Sequence, residues 1–186
     1  MPMNLPNVLT LCRIGLIPVF AVFFFLPLPW ANEIAAGLFA LAAVTDWLDG
    51  YLARRMNLTS AFGAFLDPVA DKLMVAVALI ALLVVHPSPF MALLVAVIIG
   101  REIAVSALRE WMAEIGKRAT VQVNMIGKVK TAVQMTAILL LIQGQPIGWL
   151  PSFEVGFGLL LVAAGLTLWS MVVYLRAALQ VIRDDR

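Results

Sequence analysis

Residues 46–71 read DWLDGYLARRMNLTSAFGAFLDPVAD, a stretch with four aspartates that is flanked by long apolar runs. Asp46 and Asp49 are three residues apart, and Asp67 and Asp71 are four apart. Each pair therefore shares one face of an α-helix, since positions three and four apart are neighbours on a helix surface. The stretch predicts two antiparallel helices joined by a short turn, with the two acidic faces opposed at one depth.

The sequence on both sides of this stretch is unusually hydrophobic. Of the 186 residues, 63% are hydrophobic, whereas soluble domains have roughly 45–50%. Six apolar stretches are long enough to span a bilayer, which takes about 20 residues. Their approximate bounds are 8–27, 31–53, 62–86, 89–112, 127–143 and 154–178. We expect an all-α polytopic membrane protein with six transmembrane helices, folded as one domain over residues 1–186.

The distribution of basic residues predicts the orientation. If the six stretches cross the membrane alternately and each cation is assigned to the nearer helix end, all 13 Lys and Arg residues fall on one side. Lys and Arg are enriched in cytoplasmic segments of membrane proteins. We therefore expect both termini in the cytoplasm and the four aspartates at the cytoplasmic surface.

Four carboxylates so close to hydrocarbon need compensation, because each buried charge costs a few kcal/mol. Divalent cations are the simplest compensation, and an all-oxygen ligand set favours Mg²⁺ or Mn²⁺. Four carboxylates can bridge two ions about 4 Å apart, the spacing used in phosphoryl transfer. We predict that Asp46, Asp49, Asp67 and Asp71 are the metal ligands.

Small residues lie beside these aspartates, at Gly50, Ala53 and Gly63. Such positions let a flat ligand approach the helix backbone. They equally allow close contact between helices, and the sequence leaves both interpretations open.

The complete spacing is Asp-x2-Asp-Gly-x2-Ala-Arg-x8-Gly-x3-Asp-x3-Asp, and residues 46–71 match it without departure. It resembles the signature of the CDP-alcohol phosphatidyltransferases, which fixes eight positions. The resemblance implies a six-helix membrane fold, usually dimeric. It also implies transfer of a phosphatidyl group from a CDP-linked lipid to an alcohol, with release of CMP.

Three further segments, 4–13, 101–111 and 126–134, resemble family members whose acceptor is glycerol 3-phosphate. The final helix, from Glu154 on, adds little beyond hydrophobicity. The resemblance implies CDP-diacylglycerol as donor, glycerol 3-phosphate as acceptor and CMP as product. It further implies a homodimer among the lipids of a bacterial inner membrane, with the active site facing the cytoplasm and no nucleic-acid partner.

The resemblance also assigns roles to residues. The four aspartates hold Mg²⁺ or Mn²⁺, with two ions expected. Asp67 and Asp71 are the catalytic residues, and Asp71 is the general base that takes the proton of the attacking hydroxyl. The CDP-diacylglycerol contacts are Asn7, Thr10, Arg13, Asp49, Gly50, Ala53, Arg54 and Gly63. Arg13 has an alternative role as an anchor that reaches the membrane interface.

The phosphate of the acceptor requires additional cations. Arg109, Lys128 and Lys130 are the candidates, since Arg forms paired hydrogen bonds with phosphate and Lys supplies a point charge. The alternative is that they bind anionic lipid head groups.

Other functions remain open at this stage. The same chemistry could use inositol phosphate, serine or a second phosphatidylglycerol as acceptor. A divalent-cation transporter would place its acidic residues near the bilayer midplane, whereas these aspartates lie at the inner helix ends. A prenyl-diphosphate transferase also uses aspartates and Mg²⁺, but its pattern lacks the Gly, Ala and Arg positions found here.

Overall fold

The computed structural model describes residues 5–56, 61–115 and 125–184, which form six α-helices. The helices are α1 (Leu5–Phe25), α2 (Ala31–Met56), α3 (Ala61–Val85), α4 (Pro89–Glu114), α5 (Met125–Gln143) and α6 (Ser152–Asp184). Within the described residues the only β-pairing is an isolated bridge between Ile147 and Leu150. The predicted all-α fold with six helices is confirmed, and each helix overlaps one predicted apolar stretch.

Within the residues that the structure describes, four helical segments are long and apolar enough to cross a membrane. They are Asn7–Phe25, Phe65–Val85, Pro89–Glu114 and Ser152–Arg176. The described apolar part of α5, Val129–Gln143, is shorter, and the side chains of residues 125–128 lie outside the described part of the structure. Crossing by α2 and α5 therefore remains a prediction from the sequence.

Short connections make consecutive helices antiparallel at two points. Residues 26–30 join α1 to α2, and residues 86–88 join α3 to α4. Ser88 caps α4 by accepting a hydrogen bond from the Met91 backbone N–H at 3.0 Å. Pro89 follows at the start of the helix, where its missing N–H costs nothing.

The helices pack around an aliphatic and aromatic core. Phe20, Phe39, Leu79 and Ile138 are fully buried and bring α1, α2, α3 and α5 together. Gly156 allows α6 to pack closely against α5. A Cβ added at this position would lie only 3.0 Å from the Leu140 Cβ.

The alternating direction of the helices brings six helix ends together. These are the N-terminal ends of α1, α3 and α5 and the C-terminal ends of α2, α4 and α6. We call this side of the bundle the aspartate end, because Asp46, Asp67 and Asp71 lie there. Hydrogen bonds between side chains connect α1 to α2 and to α3 at this end.

Candidate active site

The first helix carries polar side chains that contact both acidic helices. Thr10 Oγ1 donates a hydrogen bond to Asp67 Oδ1 on α3 at 2.5 Å. One turn further along α1, Arg13 Nη1 donates to Asp46 Oδ1 on α2, also at 2.5 Å. The structure thus brings two predicted donor-binding residues, Thr10 and Arg13, against two predicted metal ligands.

Arg13 lies inside the bundle and does not extend to the interface. Its side chain is only 1% exposed, whereas that of its partner Asp46 is 40% exposed. A buried guanidinium in a membrane protein needs an anionic partner, and Asp46 supplies it. Arg13 therefore binds the Asp46 carboxylate from inside the bundle, and the Asp46 side chain stays partly exposed to solvent.

Asp71 completes the described part of the acidic group. It lines a small cavity together with Arg13, Met74 and Met135. It also interacts electrostatically with Asp46, a like charge, and with Arg13, an opposite charge. The acidic faces of α2 and α3 are therefore close enough for their charges to act on each other, as the helix periodicity predicts.

These residues fit a divalent cation in their donor chemistry. Asp46, Asp67 and Asp71 offer only carboxylate oxygens, which hard ions such as Mg²⁺ and Mn²⁺ prefer. Among the described side chains, no three acidic, His or Cys groups are close enough to hold an ion by themselves. The side chain of Asp49, the fourth predicted ligand, lies outside the described part of the structure.

The remaining predicted donor contacts fall into two groups. Asn7 and Gly63 are buried at the aspartate end, at the starts of α1 and α3. The backbone of α2 is helical through Met56, as predicted for Gly50, Ala53 and Arg54. The side chains of Ala53, Arg54 and the acceptor candidate Lys128 lie outside the described residues.

A second group of charged and polar residues joins α4, α5 and α6, and we call it the basic cluster: Arg101, Glu102, Lys130 and Ser170. Lys130 is buried, and its ammonium forms an ion pair and a hydrogen bond with Glu102 Oε1. Arg101 donates from Nη1 to Glu102 Oε1 at 3.1 Å and from Nη2 to Ser170 Oγ at 2.8 Å. One carboxylate thus organises two cations from different helices.

The basic cluster adjoins the acidic group. Asp71 interacts electrostatically with Glu102, and Lys130 interacts electrostatically with Asp71. Arg109, the third acceptor candidate, is exposed further along α4, and its guanidinium lies 5.8 Å from the centre of the Tyr174 ring on α6. An anion held by the basic cluster would therefore lie beside the aspartates.

Sequence reasoning missed part of this arrangement. It places Arg101 on the cytoplasmic side and in a segment that resembles family members, gives it no specific role and treats α6 as a hydrophobic span, whereas Arg101 contacts Ser170 on α6. A signal was present, because Thr167, Ser170 and Tyr174 are spaced three and four apart and share one face of α6. A polar face on an otherwise apolar helix indicates contact with polar groups inside the bundle.

Known proteins resemble this chain over nearly its whole length. Residues 3–178 match the family model of the CDP-alcohol phosphatidyltransferases. A CDP-diacylglycerol–glycerol-3-phosphate 3-phosphatidyltransferase of Pseudomonas fluorescens is 52% identical, with 98% of this chain and 94% of the relative aligned. Proteins with the same name from Salmonella typhimurium and Shigella flexneri are each 52% identical, with 96% of both chains aligned. The chain belongs to the CDP-alcohol phosphatidyltransferase family.

Proposed function

We propose that this protein transfers the phosphatidyl group of CDP-diacylglycerol to glycerol 3-phosphate. The products are phosphatidylglycerophosphate and CMP. The structural observation that carries the proposal is the proximity of an acidic group suited to a metal-bound diphosphate and a basic cluster suited to a phosphorylated acceptor, whose charges act on each other. The full-length relatives named for this reaction support the same conclusion.

The donor binds at the acidic group. Members of the family generally use divalent metal ions. We assign Asp46, Asp49, Asp67 and Asp71 as ligands of Mg²⁺ or Mn²⁺, with two ions expected. Bound there, the metal supplies positive charge to the diphosphate. Residues around the aspartates contact the nucleotide and diphosphate: Asn7, Thr10, Arg13, Gly50, Ala53, Arg54 and Gly63.

The chain's own residues prepare the transfer. Thr10 fixes one carboxylate oxygen of Asp67, and Arg13 fixes one of Asp46. Asp71 accepts the proton of the acceptor hydroxyl as its oxygen attacks the phosphorus that carries diacylglycerol. A new phosphorus–oxygen bond forms to glycerol 3-phosphate. The bond from that phosphorus to the CMP oxygen breaks, and CMP leaves with the bonding electrons.

The acceptor phosphate binds to cations from α4 and α5. Arg109, Lys128 and Lys130 are the assigned residues, and we add Arg101 because it pairs with the same carboxylate as Lys130. Lys130 and Arg101 share the single carboxylate of Glu102, so this group keeps a positive charge that suits phosphate. Serine lacks a phosphate and would not use these cations.

The lipid substrate explains the position of the site at the helix ends. CDP-diacylglycerol has its acyl chains in the bilayer and its head group in water, and a site at this depth can receive it from the lipid. We propose that the protein lies in the bacterial inner membrane as a homodimer. The aspartate end and both termini then face the cytoplasm, where glycerol 3-phosphate and CMP diffuse.

The deciding experiment uses purified protein in mixed micelles. Incorporation of radiolabelled glycerol 3-phosphate into lipid should depend on both CDP-diacylglycerol and Mg²⁺, with one CMP released per lipid formed. Inositol phosphate and serine, tested in parallel, should give no comparable product. Turnover of either in preference to glycerol 3-phosphate would overturn the acceptor assignment. Metal uptake by proteoliposomes without substrates would support a transporter instead.

A further inference from the structure

The aromatic ring of Tyr174 on α6 lies close to two arginines of α4. The Arg101 Cζ atom is 6.0 Å from the ring centre, and the Arg109 Cζ atom is 5.8 Å from it. Both distances fall within the range of about 6 Å in which a cation is attracted to the face of an aromatic ring. Guanidinium groups about two helical turns apart thus converge on one side chain.

The two arginines differ in how firmly they are held. The Arg101 side chain is only 10% exposed, and its two terminal nitrogens donate hydrogen bonds to Glu102 and Ser170. Arg109 is exposed to solvent. Ser170 and Tyr174 are four residues apart on α6, so the helix face that fixes Arg101 also presents the ring to Arg109. The Tyr174 ring therefore lies between the buried Arg101 of the basic cluster and the exposed Arg109.

We propose that Tyr174 is a positioning residue that holds Arg109 ready for the phosphate of the acceptor. An exposed arginine samples many rotamers, and fixing it before binding lowers the entropic cost of contacting an anion. The neighbouring guanidinium of Arg101 would repel Arg109, and the electron-rich ring face offsets that repulsion. This inference rests on the proposed function, because it assigns Tyr174 to the acceptor side of the same site.

The first test compares substitutions at position 174 with a matched control. Tyr174→Leu should raise the KM for glycerol 3-phosphate by roughly two- to fivefold, in line with a partly exposed cation–π contact. The kcat and the KM for CDP-diacylglycerol should not change. Tyr174→Phe keeps the ring and should restore the KM. Trp169→Leu removes an aromatic side chain of the same helix that is 65% exposed, and it should leave all three constants unchanged.

Two further measurements separate positioning from a general packing role. Fluorinated phenylalanines at position 174 keep the ring shape but weaken its negative face, so the KM should rise with each added fluorine. In the Arg109→Gln background, Tyr174→Leu should add little, because residues that act through each other are not additive. An unchanged KM across the fluorinated series, or full additivity with Arg109→Gln, overturns the proposal.

The outcomes also separate this inference from the proposed function. Wild-type protein that uses serine and rejects glycerol 3-phosphate would overturn the function itself. Wild-type protein that uses glycerol 3-phosphate, with an unaltered KM in Tyr174→Leu, would overturn only the role of Tyr174.

Discussion

Arg13 on α1 and Asp46 on α2 form an ion pair whose two members lie in different surroundings. The Arg13 Nη1 and Asp46 Oδ1 atoms are 2.5 Å apart, yet the arginine side chain is 1% exposed and the aspartate 40%. Arg13 also interacts electrostatically with Asp71. One buried cation thus interacts with carboxylates from two helices, and both carboxylates remain partly exposed.

This arrangement predicts that Arg13 is needed for stability. In Arg13→Met, Asp46 and Asp71 lose their shared cation, so the repulsion between the two carboxylates is compensated less. Breaking a buried ion pair typically costs about 3–5 kcal/mol, so thermal unfolding in detergent without Mg²⁺ should shift to clearly lower temperature. Arg183→Met removes an exposed arginine and should unfold like the wild type. Equal unfolding temperatures for the two variants would contradict the role of Arg13.

The catalytic role proposed for Asp67 and Asp71 makes a separate prediction about turnover. Asp67→Asn and Asp71→Asn should each reduce CMP release by about two orders of magnitude or more, since a positioned base contributes about 10²–10⁴-fold. Both variants should still insert into the membrane and elute as folded protein. Glu33→Gln alters an exposed carboxylate at the opposite end of α2 and should keep normal activity. Near-normal turnover in either aspartate variant would refute the mechanism.

The contact between α5 and α6 predicts opposite responses at two nearby glycines. A Cβ at Gly156 would lie 3.0 Å from the Leu141 Cγ and 3.1 Å from the backbone oxygen of Ala137, whereas nothing lies within 4 Å at Gly158. Gly156→Ala should therefore destabilise the protein by about 1–3 kcal/mol, as overpacking does. Gly158→Ala should be neutral or stabilising, because alanine is the better helix former. Thermal unfolding of the two variants, purified side by side, tests this, and similar shifts would argue against the close contact.

The orientation in the membrane can be measured directly. Cys12 is the only cysteine, so Cys12→Ser provides a background without thiols. Pro87→Cys, in the α3–α4 connection, should react with a membrane-impermeant maleimide in intact spheroplasts. Arg183→Cys, near the end of α6, should react only after permeabilisation. The reverse pattern would place the aspartate end outside and rule out a cytoplasmic site.

Much of the fold can be predicted from the sequence, because a lipid bilayer restricts which chain segments can lie within it. Hydrocarbon about 30 Å thick favours apolar helices of about 20 residues, so the apolar stretches locate the six observed helices. Helix periodicity likewise places Asp67 and Asp71 on one face without knowledge of any neighbour. These features depend only on residues that are close in the chain.

The pairings between helices depend on rotation and depth, which periodicity does not fix. The sequence allows Arg13 to be an interfacial anchor, whereas the structure turns it inward to Asp46. The acceptor role of Lys130 stays a prediction, and its ion pair with Glu102 is a contact that periodicity does not reveal. Tyr174 is 73 residues from Arg101 and 65 from Arg109 in sequence, and only the packed bundle brings the ring close to both guanidinium groups.

The close approach of α6 to α5 has a consequence for biosynthesis. The described apolar part of α5, Val129–Gln143, contains the buried polar residues Lys130 and Gln134, and polar side chains make insertion of a lone helix into the bilayer less favourable. A Cβ at Gly156 would lie 3.0 Å from the Leu140 Cβ, so α6 covers one face of α5 closely. We expect α5 and α6 to insert most stably together, as a helical hairpin joined by residues 144–151.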